Sequence, residues 1–510
     1  MHLGVAFSRL LRWYGNRIAI VDHEGEWSYR RFLGRVARFG QAMHGLGLSR
    51  GDRVGLLLPD IREYIESDYG AMAAGLVRVP MDPRATRADV VALLRHAGVR
   101  ALVAHADLAA IVEGLRGEVE TLDHIVVVGG AIAGAVNYEP LLEMATERFP
   151  TAGDANDLAS LNFSGGTTGS PKAIMLKHSN LFAVAQNSIA AFDALPEAVF
   201  LNIRPLWPVA QVIMLTYVMA GARIVLGGRF EAEEFAGLVS RTGTTRTSMV
   251  PTQLVRCLDH LRAGDPRLGM LESVHVGGSR IAPPVFERAL DLIGPRIGVL
   301  YGLTEAPISC YLRAGRLARD MPERAQLMES VGRPLFGYEV RLDGAGPDEE
   351  RPATGEVLIR GPNVMAGYWQ NPAATEVAMA DGWLRTGDIG QFDENGDLSI
   401  VGRIKDVIRS GSTSIVPKEV EDTVAQHPAV QEVAVIGVPD IEWGENVTAF
   451  VVLKPGSAAS EADIIEHCRQ HLAGYKKPKS VHFRESLPRS HYGKVQRAEL
   501  LADIATTKQN

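Results

Sequence analysis

Apolar positions along the first part of the chain follow two rhythms. Over residues 29–47 they recur at helical spacing and stop at a glycine. Gly51-Asp52 then leads into a near-continuous apolar run over 53–58, the pattern of a buried strand. Helical patterns near 61–75 and 87–97 alternate with short buried strands over 99–103 and 124–128, and further strands follow at 223–226, 246–250 and 273–276. This alternation predicts sheets covered by helices. Self-similarity at a period of roughly 20–50 residues is not visible, which argues against a solenoid.

After about residue 335 the texture changes to short strands separated by turns, over 339–342 and 355–359. Asp393-Glu-Asn-Gly-Asp397 between two strand patterns predicts a hairpin, with Asn-Gly supplying the positive φ angles of a tight turn. From Lys405 the pattern reads helix (418–426), strand (430–437), strand (446–453), helix (461–472) and strand (481–483). The expected fold class is α/β: a large N-terminal domain of helix-covered sheets plus a β-rich subdomain (1–402), and a small α+β C-terminal domain (403–510). The boundary near Gly402–Asp406 carries no long flexible linker, so motion between domains requires a local hinge.

Composition narrows the function. The 510 residues are 46% hydrophobic and 22% charged, which excludes a disordered chain. A net charge of −7 gives no general attraction for nucleic acid, so any bound phosphate must be held by local chemistry. Cys257, Cys310 and Cys468 are far apart and form no CxxC pair, which excludes a zinc ribbon and fits a reduced compartment. The first 17 residues lack a signal-peptide core, 125–136 is too short and glycine-rich to span a bilayer, and the last three residues match neither a prenylation box nor a peroxisomal signal. A soluble, cytoplasmic protein is expected, with no nucleic-acid partner and no membrane span.

Five islands carry candidate chemistry. Phe163-Ser-Gly-Gly-Thr-Thr-Gly-Ser-Pro-Lys-Ala173 follows one apolar strand and precedes another; its open backbone, hydroxyls and Lys172 charge suit a triphosphate. It is not a P-loop, because Lys172 is followed by Ala and not by a Ser or Thr opening a helix, and a flexible hairpin loop is its bland reading. Tyr301-Gly-Leu-Thr-Glu305 groups an aromatic plane, a hydroxyl and a carboxylate, enough to stack a base, touch phosphate and hold Mg²⁺. Trp383-Leu-Arg-Thr-Gly-Asp388 ends in a turn carboxylate suited to a ribose diol, and Gly402-Arg-Ile-Lys-Asp406 adds the Arg403 fork. Leu487-Pro-Arg-Ser-His-Tyr-Gly-Lys494 presents a lysine after glycine. A helix cap at Thr304, a plain turn at Gly387-Asp388 and a surface lysine at Lys494 are the alternatives for each alone. The five together, in this order, are far less easily explained by chance.

With these motifs the chain resembles the adenylate-forming superfamily of acyl- and aryl-CoA synthetases, peptide-synthetase adenylation domains and luciferases, from Gly51-Asp-Arg-Val54 to Lys494. The resemblance implies an active site between a large N-terminal domain and a mobile C-terminal one, hinged at Lys405. It implies a clamp on the β- and γ-phosphates from Ser164, Gly166, Thr167, Thr168, Gly169 and Lys172, and an adenine site from Gly277, Gly278, Ser279, Tyr301 and Gly302. Asp388 and Arg403 are implied for the ribose, and Lys494, Thr304 and Glu305 for catalysis, with Glu305 as the Mg²⁺ ligand. Trp207, Pro208, Gln211, Gly278, Leu303 and Ile308 are implied around the acid. The implied reaction activates a carboxylic acid or related anion, aromatic or of medium length, with ATP, releasing pyrophosphate; CoA is the expected acceptor.

Departures from the family pattern fall mainly on the acceptor side. Gly165 stands in place of Ser, Ala173 in place of Gly, and Pro307 where Gly is commoner. Pro208 replaces a histidine that lines the acyl pocket and thiol route, and Ser410-Gly-Ser-Thr-Ser-Ile415 replaces Ser-Gly-Gly-Glu-Asn-Ile. An aspartate for an α-amine is not evident, which argues against an amino-acid substrate. The alternatives are therefore a carrier-protein thiol as acceptor, nitrite activation for diazotising an aryl amine, as in some secondary metabolism, or, from another class, an inactive nucleotide-binding regulator.

Overall fold

The computed structural model describes residues 1–507 except 151–152, 164–171, 208–210, 319–320, 322–323, 344–353, 412 and 490–494. The chain forms two compact units: one from Met1–Met328, Gly332–Glu339 and Ile359–Leu384, the other from Glu329–Val331, Val340–Leu358 and Arg385–Asn510.

The first unit holds two sheets of the expected helix-covered kind. In one, six strands run parallel in the order Ile297–Leu303, Ser273–Gly277, Arg246–Met249, Val199–Asn202, Arg223–Leu226 and Ile18–Asp22. Antiparallel strands Ala306–Leu312 and Gly25–Ser28 flank them. The other sheet runs Gly367–Tyr368, Ala173–Lys177, Leu158–Phe163, Val77–Pro80, Arg53–Leu57, Val99–His105, His124–Val128 and Val136–Asn137. Its central strands are buried on both faces, which is why they read as continuous apolar runs. The helical patterns resolve as Tyr29–Gly45, Arg62–Ala73 and Arg87–Ala97, the last opened by a Thr86/Asp89 capping box. The helix Leu3–Tyr14 carries no conventional capping residue; the His2 side chain accepts from the Gly4 amide instead.

The second unit contains a five-stranded sheet in which Gly444–Leu453 pairs with Val430–Asp440, Ile408–Ser410 and Ser480–Phe483, and Thr413–Ile415 adds to Ile408–Ser410. Period-two alternation sends its side chains to two cores. Val435, Val447, Ala449 and Val451 pack with Val420, Val424 and Ile464 of the helices Pro417–Ala425 and Glu461–His471. Ala434, Ile436, Val438 and Phe450 pack with Leu500 and Ile504 of Arg497–Thr507, a helix not read from the pattern. The hairpin at 393–397 is present, but only Gly396 takes a positive φ (81°). Asp393 Oδ1 accepts from the Asn395 and Asp397 amides at 2.9 and 2.8 Å, so a side-chain turn does the work expected of Asn-Gly.

All three cysteines are buried and unpaired. Among the described residues no helix is long and apolar enough to cross a membrane.

His275, in the middle of the parallel sheet, has no exposure. Its Nε2 lies 2.6 Å from the Tyr217 hydroxyl and its Nδ1 2.9 Å from that of Tyr311, while the Phe192 ring stacks on it at 4.3 Å. Burial, reinforced by the Arg246 charge, pushes its pKa down to about 3. An unfolded histidine titrates near 6.5. Protonation is therefore opposed only in the folded state, and the stability this gives is complete above pH ~6.5 and declines as pH falls toward 3. His275→Gln should remove about 1.4 kcal/mol per pH unit from the acid limb of stability between pH ~6.5 and ~4. Denaturant midpoints of both proteins across that range check this, and parallel limbs would refute it.

Candidate active site

Parallel sheets bind ligands at the carboxyl ends of their strands, where successive connections diverge to opposite sides. Here the chain leaves Val199–Asn202 for Arg223–Leu226 on one side and returns to Arg246–Met249 on the other. At that end of the sheet stand several expected site residues. Gly277 closes the strand Ser273–Gly277, and the exposed Gly278 and Ser279 follow it. On the next strand Tyr301 is nearly buried, opposite Cys310. Gly302 permits a close approach: a Cβ there would lie 2.5 Å from the Ile308 amide nitrogen. Leu303 pairs with Ala306, so Thr304 and Glu305 are the tip of a tight hairpin. The helix-cap reading of Thr304 does not hold, because the residues after it continue as strand.

The segment after Gly361 is fastened to this hairpin. Asn180, third residue of the helix His178–Phe192, accepts from the Lys177 amide and donates to the Pro362 and Val364 carbonyls at 2.8 and 2.9 Å. Buried Asn363 donates to Pro307 O and Ser309 Oγ, the neighbours of Ile308. Ile308 itself has φ +48°, an outlier for a β-branched residue, and its flanks hold it there. The Met365 amide donates to Glu305 O at 2.8 Å, and the Ala366 and Trp369 amides donate to Met175 O and Ala173 O. Between these points Tyr368 donates its hydroxyl to Glu305 Oε1 at 3.0 Å, and Lys172 Nζ sits 4.9 Å from the centre of its ring. The structure thus gathers Lys172 and Glu305 around Tyr368, which sequence reasoning missed along with Asn180 and Asn363. A Gly-Tyr-Trp run between two prolines was the only local signal.

The expected acid-pocket residues are less fully placed. Trp207 is partly buried and donates its indole N–H to Pro80 O at 3.1 Å, while Asp60 accepts from the Leu206 amide. Pro208 lies outside the described residues, and Gln211 is described only as the first residue of the helix Gln211–Met219. A groove of about 500 Å³ on this unit lies elsewhere, lined by Arg17, Ile18, Val199 and Arg223 near the amino ends of their strands.

In the second unit Asp388 and Arg403 face each other across the hairpin Trp383–Phe392/Leu398–Arg403, with Arg403 Nε 2.8 Å from Asp388 Oδ1. Asp388 is 3% exposed, and such a held carboxylate suits a diol. Lys405 is exposed in the one-turn helix Ile404–Asp406. Ile408–Ser410 and Thr413–Ile415 form a tight hairpin whose Gly411 amide donates to Trp443 O at 2.7 Å. Ser164, Gly166, Thr167, Thr168, Gly169 and Lys494 lie outside the described residues.

Among the described residues no group of three or more His, Cys, Asp or Glu could cage a metal ion. Glu305, one carboxylate oriented by the Tyr368 hydroxyl, fits Mg²⁺, which takes few protein oxygens and keeps water and phosphate as its other ligands.

The family model described as AMP-binding enzyme matches residues 7–369, and that described as AMP-binding enzyme C-terminal domain matches 419–494. A feruloyl-CoA synthase of Amycolatopsis sp is 32% identical over 479 residues, 93% of each chain. A medium/long-chain-fatty-acid–CoA ligase of Mycobacterium tuberculosis is 31% identical over 490 residues, covering 92% of this chain and 84% of its own. The crystal structure of ATP-bound MatB from Rhodopseudomonas palustris superposes with a TM-score of 0.90 at 26% identity, over 99% of both chains.

Asn180→Ala removes three hydrogen bonds at a buried turn and should cost about 2–3 kcal/mol. Amide exchange at Met365 and Ala366 should rise with it, as the turn that presents them loosens. Chemical denaturation and hydrogen exchange check both. A loss of stability with unchanged exchange at those amides would show that Asn180 does not hold the segment.

Proposed function

The chain belongs to the AMP-binding enzyme family, and from that premise we propose that it activates a small carboxylic acid with ATP and passes the acyl group to CoA. The observation that carries the reading is the Lys172–Tyr368–Glu305 grouping, a cation and a carboxylate both held by one neutral residue. Support for CoA comes from relatives named as CoA ligases of aromatic and aliphatic acids.

The chemistry explains the residue types. A carboxylate is a weak electrophile, so its oxygen first attacks the α-phosphorus of ATP; the bond to pyrophosphate breaks and a mixed anhydride forms. Two anions must approach, which makes neutralisation and in-line positioning the main tasks. We assign Ser164, Gly166, Thr167, Thr168, Gly169 and Lys172 to the β- and γ-phosphates. Gly277, Gly278, Ser279, Tyr301 and Gly302 are assigned to adenine, and Asp388 with Arg403 to the ribose. Thr304 is assigned to phosphate. Glu305 would hold Mg²⁺, which when bound withdraws charge from the phosphates. Lys494 is assigned to the charge that develops as pyrophosphate leaves. In the second half-reaction the CoA sulfur attacks the acyl carbonyl and AMP departs with its bonding pair. Trp207, Pro208, Gln211, Leu303 and Ile308 are assigned to the acid and the acceptor's path. Residues 1–402 would form the adenylating domain and 403–510 the mobile one, with its backbone change at Lys405. Three buried, unpaired cysteines are consistent with a cytoplasmic setting.

Lys494→Ala should lower ATP–pyrophosphate exchange by at least about a hundredfold while calorimetry finds ATP affinity little changed, since the lost charge acts mainly in the transition state. Wild-type exchange in this variant would sink the assignment. Exchange by the native protein with no acid of an aromatic and aliphatic panel would instead favour the nucleotide-binding regulator. Lys405→Pro fixes φ near −65° and restricts its neighbour, so exchange should persist while CoA-dependent AMP release falls about tenfold or more. Equal loss of both steps would put the hinge elsewhere. Release stimulated by nitrite with an aryl amine, and not by CoA, would move the acceptor away from the thiol.

A further inference from the structure

Two charged groups at the first unit's site are restrained by one neutral residue. Among the described residues no carboxylate pairs with Lys172 and no cation pairs with Glu305. Each is held instead by Tyr368, whose phenol donates to Glu305 Oε1 at 3.0 Å and whose ring face lies 4.9 Å from Lys172 Nζ. A salt bridge would orient either group by cancelling the charge that an anionic ligand or a cation needs. A hydroxyl donor and an aromatic face orient both and cancel neither.

The tyrosine is itself fixed from outside this pair. Gly367–Tyr368 pairs antiparallel with Ala173–Lys177, Tyr368 opposite Ile174, and the Tyr368 amide donates to Thr375 Oγ1 at 2.9 Å. The amides of Ala366 and Trp369 on either side of this short strand are bonded to the same neighbouring strand.

We infer that Tyr368 is a positioning residue that sets the separation and aim of Lys172 and Glu305, so that phosphate and its divalent cation are met as one unit. The inference rests on the assignment of those two residues to ATP and Mg²⁺ made above. Hydroxyl and ring then have separable tasks: the hydroxyl serves the cation through Glu305, and the ring serves the phosphates through Lys172.

The test uses the full chain with Mn²⁺ as a spectroscopic stand-in for Mg²⁺. Tyr368→Phe keeps the ring and loses the donor, whereas Tyr368→Leu loses both. Electron paramagnetic resonance titration of Mn²⁺ in the presence of ATP should show about three- to tenfold weaker binding for Tyr368→Phe. With the divalent cation saturating, pyrophosphate KM in the exchange reaction should stay near the native value for Tyr368→Phe and rise severalfold for Tyr368→Leu. Adding Tyr368→Phe to Glu305→Gln should weaken Mn²⁺ no further, because the hydroxyl acts only through the carboxylate. That cycle also guards against simple unfolding, which would add to the Glu305→Gln loss. Native Mn²⁺ affinity in Tyr368→Phe, or equal losses in Phe and Leu on both readouts, would overturn the inference. Absence of exchange in the native protein counts against the proposed function alone, since the Mn²⁺ arm still decides the role of Tyr368.

Discussion

Buried backbone must find hydrogen-bond partners, and in the first unit residues 362–369 face that demand, with Asn363, Val364, Met365 and Tyr368 buried. The segment satisfies it by bonding in two directions, to the carbonyl of Glu305 and to the carbonyls of Ala173 and Met175. Asn180 and Asn363 complete the seam with side-chain amides. Because one end of the seam belongs to the hairpin after Ile297–Leu303 and the other to the strand Ala173–Lys177, the two sheets of this unit share one set of bonds where the candidate chemistry lies. The unusual φ of Ile308 belongs to the same seam. Its neighbours are tied on both sides, so the strained residue cannot relax without breaking bonds to a buried amide.

A second division of labour runs through the strands. Their buried stretches are largely apolar and carry the fold, Arg246–Met249 being a polar exception, while candidate site residues stand at and just past the carboxyl ends. Ser273–Gly277 is buried throughout, and exposure begins at Gly278. His275 is a polar residue inside such a stretch, accommodated because two tyrosine hydroxyls satisfy its two nitrogens. In the second unit the same separation is made across the sheet: alternate residues of Val430–Asp440 serve two different helical covers.

Much of this was legible in the sequence, for identifiable reasons. The helices Tyr29–Gly45 and Arg87–Ala97 and the central strands carry their periodicity in contiguous residues, and a doubly buried strand declares itself as an apolar run. The chemical islands were legible for the same reason, since Tyr301 to Glu305 is five adjacent residues. Leu3–Tyr14 was not, because a histidine caps it, and a helix cap stayed open as an alternative at Thr304 because the following strand carries no polar alternation: Ala306–Leu312 is buried at every position. Asp393 displaced Asn-Gly as the maker of its turn through a side-chain bond that composition alone does not rank. Tyr368 was invisible for a different reason. Its partners are Glu305 and Lys172, far earlier in the chain, and the local Gly-Tyr-Trp run does not say that its residue stands between two others.

The three cysteines have a consequence for a reaction whose acceptor carries sulfur. Burial raises the Cys257 thiol to about 12 and the Cys468 thiol to about 11, and pushes Cys310 higher still, so thiolate is scarce at neutral pH and sheltered from reagents. The folded protein offers little competing thiolate to capture an activated acyl group, and self-acylation through sulfur is disfavoured by the fold itself. The same shelter makes a disulfide dye an almost background-free reporter: while the chain is folded the colour counts only the free coenzyme, and a late rise in colour signals unfolding.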